Sequence, residues 1–312
     1  MSAHGCVLSV EPLSALEKIW HRLFADARNP SPFVSYEWFS VLATHILLSD
    51  PEVMLFRSNG EVVGVLPAAI QGSTLKFVGD ERVTDLSGMV CATGYEEKVV
   101  EAVADFIKSR GLKVDLFPIE EESELAVRLR KTLPELSVKK KDVCPLLHLP
   151  NTYDEYLKGL DGKSRHELRR KMRRINGTAV EDVKTTSISS LFELMAASDD
   201  SKKRFLTPVI MAFFKDLACN FERLGWLRMR ALYFNGRTIG IIFAFSLKER
   251  VYLYNMGFDP EYRRMSPGIM TIALDIQSAI SEGYGYYDFL RGDEDYKYRF
   301  GAKERYTLRI TR

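Results

Sequence analysis

Twice along the chain a hydrophobic strand meets an Asn-Gly turn, passes Val or Ile beside a glycine, and enters a second apolar strand. The two stretches are FRSNGEVVGVLPAAI, Phe56 to Ile70, and YFNGRTIGIIFAFSL, Tyr233 to Leu247. Asn-Gly between apolar runs is a strong hairpin signal, because both residues accept the positive φ that a two-residue turn demands. The recurrence predicts two related domains, each built on such a hairpin. At 312 residues and 46% apolar content the chain has the length for two domains of about 150 residues. No low-complexity linker separates them, which puts the boundary near Cys144-Pro145 and the domains at 1–143 and 144–312.

The surrounding pattern is mixed α/β. In the first domain, helices are expected over Leu13 to Ala27, Tyr36 to Leu48, Glu96 to Arg110 and Glu122 to Thr132. Strands are expected near Cys6 to Val10 and over Glu52 to Arg57, Glu61 to Ile70, Thr74 to Val78, Lys113 to Phe117 and Leu136 to Lys141. In the second, strands over Leu227 to Phe234, Thr238 to Leu247 and Val251 to Phe258 precede a helix and a further strand.

Forty-four Lys and Arg against forty-two Asp and Glu give a net charge of +2, so no global field argues for DNA or a membrane surface, and any basic site must be local. The four cysteines, Cys6, Cys91, Cys144 and Cys219, show neither CxxC spacing nor a histidine cluster. They read as reduced core residues, with no metal site. With no signal-like start and no run of about 18 apolar residues, the expectation is a cytoplasmic protein without an integral membrane segment.

Four features could carry chemistry. After the Val251 to Phe258 strand the chain turns at Asp259-Pro260 and opens a helix at Ser266-Pro267-Gly268. Arg263, Arg264, Ser266 and Gly268 there could present cations, a hydroxyl and free backbone N–H groups to a phosphate; the same residues also suit an ordinary helix start. Next, DFLRGDEDYKYRFGA places Asp288, Arg291 and Lys297 at a strand end, where ligands of α/β folds tend to sit. Asp288 can face a cleft as an amine-orienting group or base, or pair with Arg291 two residues on. Arg291 and Lys297 suit phosphate or an oxyanion. A strand N–H near Met256 or Gly257 is the candidate oxyanion donor, and Tyr254 is a candidate acid that also suits core packing.

The third feature is KSRHELRRKMRR within a basic helix expected over 162–176, anchored by Leu168, Met172 and Ile175. Its Arg165, Arg169 and Arg173 ladder suits phosphate or carboxylate groups, or a solvated face. His166-Glu167 lacks the second histidine of a zinc HExxH motif. Last, Tyr36, Trp38 and Asp85 lie in SYEWF and VTDLSG, where aromatic residues at a helix start generally pack the core.

Together, GFDPEYRRMSPG, GYYDFLRGDEDYK, RFGA, RHELRRKMRR, PFVSYEW, GVLPAAI and FVGDERVTDLSG resemble the acetyltransferase-like proteins of the cellulose-biosynthesis group (BcsL/CelD) in the GNAT superfamily and, more distantly, the FemABX peptidyltransferases. The resemblance implies tandem GNAT-like domains, each a mixed, mainly antiparallel sheet flanked by helices. It also implies acyl transfer, with acetyl-CoA or another acyl-CoA held at Arg264, Ser266 and Gly268, and gives Tyr36, Trp38 and Asp85 their only claim to substrate. The acceptor it suggests is a primary amine of a sugar or cell-envelope precursor, including a nucleotide-linked sugar. Two alternatives stay open: aminoacyl transfer from aminoacyl-tRNA, as in FemABX relatives, and a non-catalytic GNAT scaffold that binds polyanionic glycan or nucleotide.

Overall fold

The computed structural model describes residues 6–174 and 179–312, which fall into two compact units: residues 6–142 with Tyr306–Arg312, and residues 143–305. Ile175, the third anchor of the basic helix, and the end of that helix's expected range lie outside the described residues.

In the first unit the strands are β1 (Val7–Pro12), β2 (Glu52–Ser58), β3 (Glu61–Leu66), β4 (Ala68–Gln71), β5 (Thr74–Phe77), β6 (Val90–Cys91), β7 (Lys113–Glu120) and β8 (Ser137–Val143). One sheet runs β1-β2-β3-β6; the other runs β4-β5-β7, then the chain's last strand, then β8. The expected Leu13 to Ala27 helix is a short 3₁₀ turn followed by Glu17–Asp26, and the Tyr36 helix ends at Leu42 in a π turn. Helix Glu96–Ser109 packs on β3, and Gly64 permits the contact: a Cβ there would stand 2.8 Å from Val99 Cγ2.

The second unit holds β9 (Leu146–His148), β10 (Ala179–Asp182), β11 (Leu227–Phe234), β12 (Arg237–Leu247), β13 (Arg250–Phe258) and β14 (Tyr286–Asp288), in the order β10-β11-β12-β13-β14-β9. The β11–β12 hairpin closes at Asn235-Gly236. Gly240 takes the role Gly64 has in the first unit, because a Cβ would collide with the hydroxyl of Thr271 on helix Pro267–Ser281. Two hairpins, each with a glycine that admits a helix, make the internal similarity structural as well as compositional.

That helix covers one face of the sheet, burying Met270, Ile272, Ala273, Ile276 and Ala279 against Ile242, Ala244 and Leu253. On the other face Phe214, Phe243, Phe245 and Tyr254 form a ring cluster with centroids 5.2–5.9 Å apart. Helices Ile188–Ser198 and Pro208–Arg223 contribute to this side. The sequence pattern leaves both unassigned, although Thr207 caps Ile210 N–H and Pro208 opens the second. Of the cysteines expected in the core, Cys91 and Cys144 are buried, but Cys219 is exposed on that second helix.

The last strand, β15 (Tyr306–Thr311), pairs antiparallel with β7, so residues 306–312 belong to the first unit and depart from the expected 144–312 range. Arg309 on β15 grips Asp115 on β7 with two hydrogen bonds of 2.6 and 2.8 Å. This bond to Arg309 holds the Asp115 carboxyl below its ordinary value, against the opposing effect of burial. A depressed carboxyl stabilises the fold above its unfolded pKa of about 4 and loses that contribution as pH falls through the folded value. Arg309→Met should therefore cost about 0.5–1 kcal/mol at pH 7 for this partly exposed pair. Urea titrations should show a smaller loss of stability between pH 5 and pH 2 in the variant than in the wild type.

Candidate functional site

β13 and β14 run side by side only briefly: Arg250, Tyr252 and the residue between them pair with Tyr286 to Asp288, and the pairing then stops. Two devices open this gap. On β13, the register against β12 slips between Phe243 and Ala244, leaving Tyr254 as a bulge. On β14, Asp288 ends the strand. Its wholly buried carboxylate accepts the Leu290 N–H at 3.0 Å, an Arg305 guanidinium N–H at 2.7 Å and one from Arg250 at 3.4 Å, while Leu290 takes φ +55°. The turn carries the chain away from β13.

Into this opening faces a cavity of about 460 Å³. Met256, Phe258, Pro267, Ile269 and Ile272 supply its apolar wall, and Ser198, Asp199, Lys202, Arg263, Ser266, Glu294 and Tyr296 its polar one. Gly268 completes it; a Cβ there would come within 2.6 Å of Met256 Cε. Ser266, at φ +54°, makes no side-chain cap, and with Pro267 lacking an N–H and the Met270 N–H bonded to the Ser266 carbonyl, the N–H groups of Gly268 and Ile269 are left for another acceptor. Lys202 Nζ donates to the Met256 carbonyl at 2.7 Å. Burial, followed by the charge of Glu294, pushes the Tyr296 phenol above its ordinary pKa and keeps it protonated.

The residues singled out from sequence divide sharply. Arg263, Ser266 and Gly268 line the cavity; Arg264 is exposed and is not among its lining residues. Asp288 departs from both expectations, neither lining the cavity nor pairing with Arg291: Arg305 and Arg250 hold it. Tyr254 packs in the ring cluster and is not among the residues lining the cavity. Arg165 is half-buried with a hydrogen bond to the Lys158 carbonyl, and Arg169 and Arg173 are exposed on helix Gly162–Arg174. In the first unit Trp38 is wholly buried, with Nε1 bonded to Thr84 Oγ1 at 3.3 Å; Tyr36 packs edge-on to Trp20, and Asp85 is half-buried in the loop before β6.

Lys297, expected as a cation free to meet phosphate or an oxyanion, is instead 2% exposed. Its Nζ donates to the carbonyls of Arg291 and Gly292 at 3.1 and 3.0 Å and pairs with Glu294 at 2.8 Å, tying down the turn that Asp288 begins. Arg291 contributes to that turn through its backbone.

A second charged assembly has no counterpart among the sequence expectations. Asp275, wholly buried on helix Pro267–Ser281, binds Arg228 Nε at 2.8 Å and the Tyr287 hydroxyl at 2.8 Å, while Arg230 bridges Asp182 and Glu282. These charges satisfy one another beside a cavity of about 350 Å³ near the helix's far end. The spacing Arg228-x-Arg230 on an apolar strand was the available signal, since alternate residues share a face. Among the described residues no cluster of His, Cys, Asp and Glu could hold a metal, and no helix is long and apolar enough to cross a membrane.

Lys297→Met should lower stability by about 3 kcal/mol, because the carbonyl-facing donors vanish from a buried position and Glu294 loses its partner. Urea denaturation monitored by circular dichroism measures it; an unchanged midpoint would put Lys297 outside the scaffold of the turn.

Residues 162–298 match the family model described as Acetyltransferase (GNAT) domain. No curated protein matches the sequence. Among solved structures, FemX superposes with a TM-score of 0.65 at 13% identity, over 94% of this chain and 95% of that one. L-PGS from Bacillus licheniformis gives 0.59 at 12% identity, over 95% and 91%. A tandem GNAT protein from the clavulanic acid biosynthesis pathway gives 0.51 at 11% identity, over 97% and 98%. At these identities the likeness is one of fold, a tandem GNAT-like mixed α/β architecture, and the stretch that matches the GNAT domain model lies within the second unit.

Proposed function

We propose that the protein is an N-acyltransferase that receives an acyl-CoA, acetyl-CoA in the simplest case, in the cavity beside β13. The observation that carries the reading is the edge of β13 that β14 leaves open beyond Tyr252, lying against the uncapped first turn of helix Pro267–Ser281, both facing one cavity. The donor set fits such a cosubstrate: Arg263, the Ser266 hydroxyl and the first-turn N–H groups suit a pyrophosphate, and the strand edge suits an amide-bearing arm. Bound there, the thioester supplies the activated carbonyl.

The chain's own contribution is positioning and charge stabilisation. In an extended strand a residue's N–H and C=O leave on the same side, so the Met256 N–H shares the open edge with the carbonyl that Lys202 holds. It serves as the oxyanion donor. Glu294, on the cavity wall and 56% exposed, takes the first proton that the attacking ammonium must lose, and the second, released as the tetrahedral intermediate collapses, passes to the leaving thiolate. The apolar wall of Met256, Phe258 and Ile272 keeps water from the thioester. The acceptor we assign is a primary amine on a sugar or cell-envelope polysaccharide precursor, following the motif resemblance to the cellulose-biosynthesis group.

A second reading, aminoacyl transfer from aminoacyl-tRNA, draws on the fold likeness to FemX and on helix Gly162–Arg174, whose exposed Arg169 and Arg173 suit a phosphate backbone.

Acetyl-CoA should raise the melting temperature in a saturable way, since a ligand confined to the folded state stabilises it. Arg263→Ala should weaken that binding about tenfold while leaving the unliganded melting temperature unchanged, because Arg263 is exposed. No shift with any CoA ester, together with tRNA binding that Arg169→Ala and Arg173→Ala abolish, would select the second reading.

A further inference from the structure

The cavity's charges are unevenly spent. Asp199 is committed to the N–H groups of Ser201 and Lys202, which it caps, and Glu294 to Lys297. Lys202 is half-buried on the short helix Asp200–Phe205, yet its ammonium makes its hydrogen bond to a neutral acceptor, the Met256 carbonyl, and forms no ion pair with a carboxylate among the described residues. A lysine drawn this far from water ordinarily finds an anion, because a carbonyl compensates only part of the lost hydration. Burial accordingly lowers its pKa, with Asp199 and Glu294 opposing. Two of the ammonium's three N–H donors are left for a ligand.

Position narrows the choice of anion. The phosphate-binding groups are Arg263, Ser266 and the first turn of helix Pro267–Ser281, whereas Lys202 is anchored to Met256, on the strand edge assigned above to the acyl carbonyl. Resting on that assignment, we propose that Lys202 determines acyl specificity: it binds a carboxylate at the far end of the acyl chain, so that the site prefers a dicarboxylic acyl thioester to acetyl. The ammonium swings from the Met256 carbonyl to the carboxylate, exchanging a neutral partner for a charged one, and charge-assisted hydrogen bonds are the stronger kind. No bond is made or broken in this step. The apolar side chains of Met256 and Ile272 line the route for the methylenes between carbonyl and carboxylate.

The test is calorimetric titration of the full chain with CoA, acetyl-CoA and succinyl-CoA, for the wild type, Lys202→Met and Lys202→Arg. The wild type should bind succinyl-CoA about tenfold or more tightly than acetyl-CoA, as a hydrogen-bonded charged group commands. Lys202→Met should lose this preference, its affinity for succinyl-CoA falling to that for acetyl-CoA, and Lys202→Arg should retain part of it. Equal weakening of all three ligands in Lys202→Met would overturn the proposal by assigning Lys202 to the phosphates or the pantetheine arm. Equal wild-type affinity for the two esters would also overturn it, and needs no variant to fold. Absence of binding by any of the three would reject the acyl-CoA reading itself, an outcome separate from binding without preference.

Discussion

The second unit depends on what happens at Asp288. A carboxylate with no exposure survives in a core only when its charge is answered, and here Arg305, Arg250 and the Leu290 N–H answer it. The third of these bonds fixes the direction of the chain. By holding Leu290 in the left-handed region it ends β14 after three residues, so the nine-residue β13 is left with an open edge. Lys297 secures the same turn from the other side through the carbonyls of Arg291 and Gly292. The cavity is thus the consequence of a sheet prevented from closing, and the groups that prevent it are buried behind the opening.

The far end of helix Pro267–Ser281 is fixed by comparable means. Asp275 with Arg228 and Tyr287, and Glu282 with Arg228 and Arg230, bind the helix to β11 and β14. With Gly240 admitting the helix backbone close to β12, the first turn is held where its N–H groups face the cavity. Rigid support of this kind lets a helix terminus act as a preorganised anion site.

Local chemistry made much of the fold legible in the sequence. Asn59-Gly60 and Asn235-Gly236 set the hairpins, Gly64 and Gly240 marked the repeated pattern, although not the helix contacts they admit, and Ser266-Pro267-Gly268 announced the helix that lines the cavity. What resisted reading was long-range. Arg305 lies 17 residues beyond Asp288, and no local pattern pairs them, so the carboxylate read as a candidate for catalysis. Lys202 sits in DSKKRF and Lys297 in DEDYKYR, charge-rich surroundings that look solvated although each lysine turns inward. The departure of β15 to the first unit's sheet likewise has no signal in its alternating, ordinary strand sequence.

Whether the open edge of β13 and the uncapped helix turn together receive an acyl-CoA is decided by hydrogen–deuterium exchange with and without saturating acetyl-CoA, since exchange reports which backbone amides a ligand covers. Slowed exchange is expected mainly over residues 254–258 and 266–270, the strand edge and the first turn. Saturable binding that leaves both segments unchanged, with protection elsewhere, would place the ligand at another site and overturn the assignment.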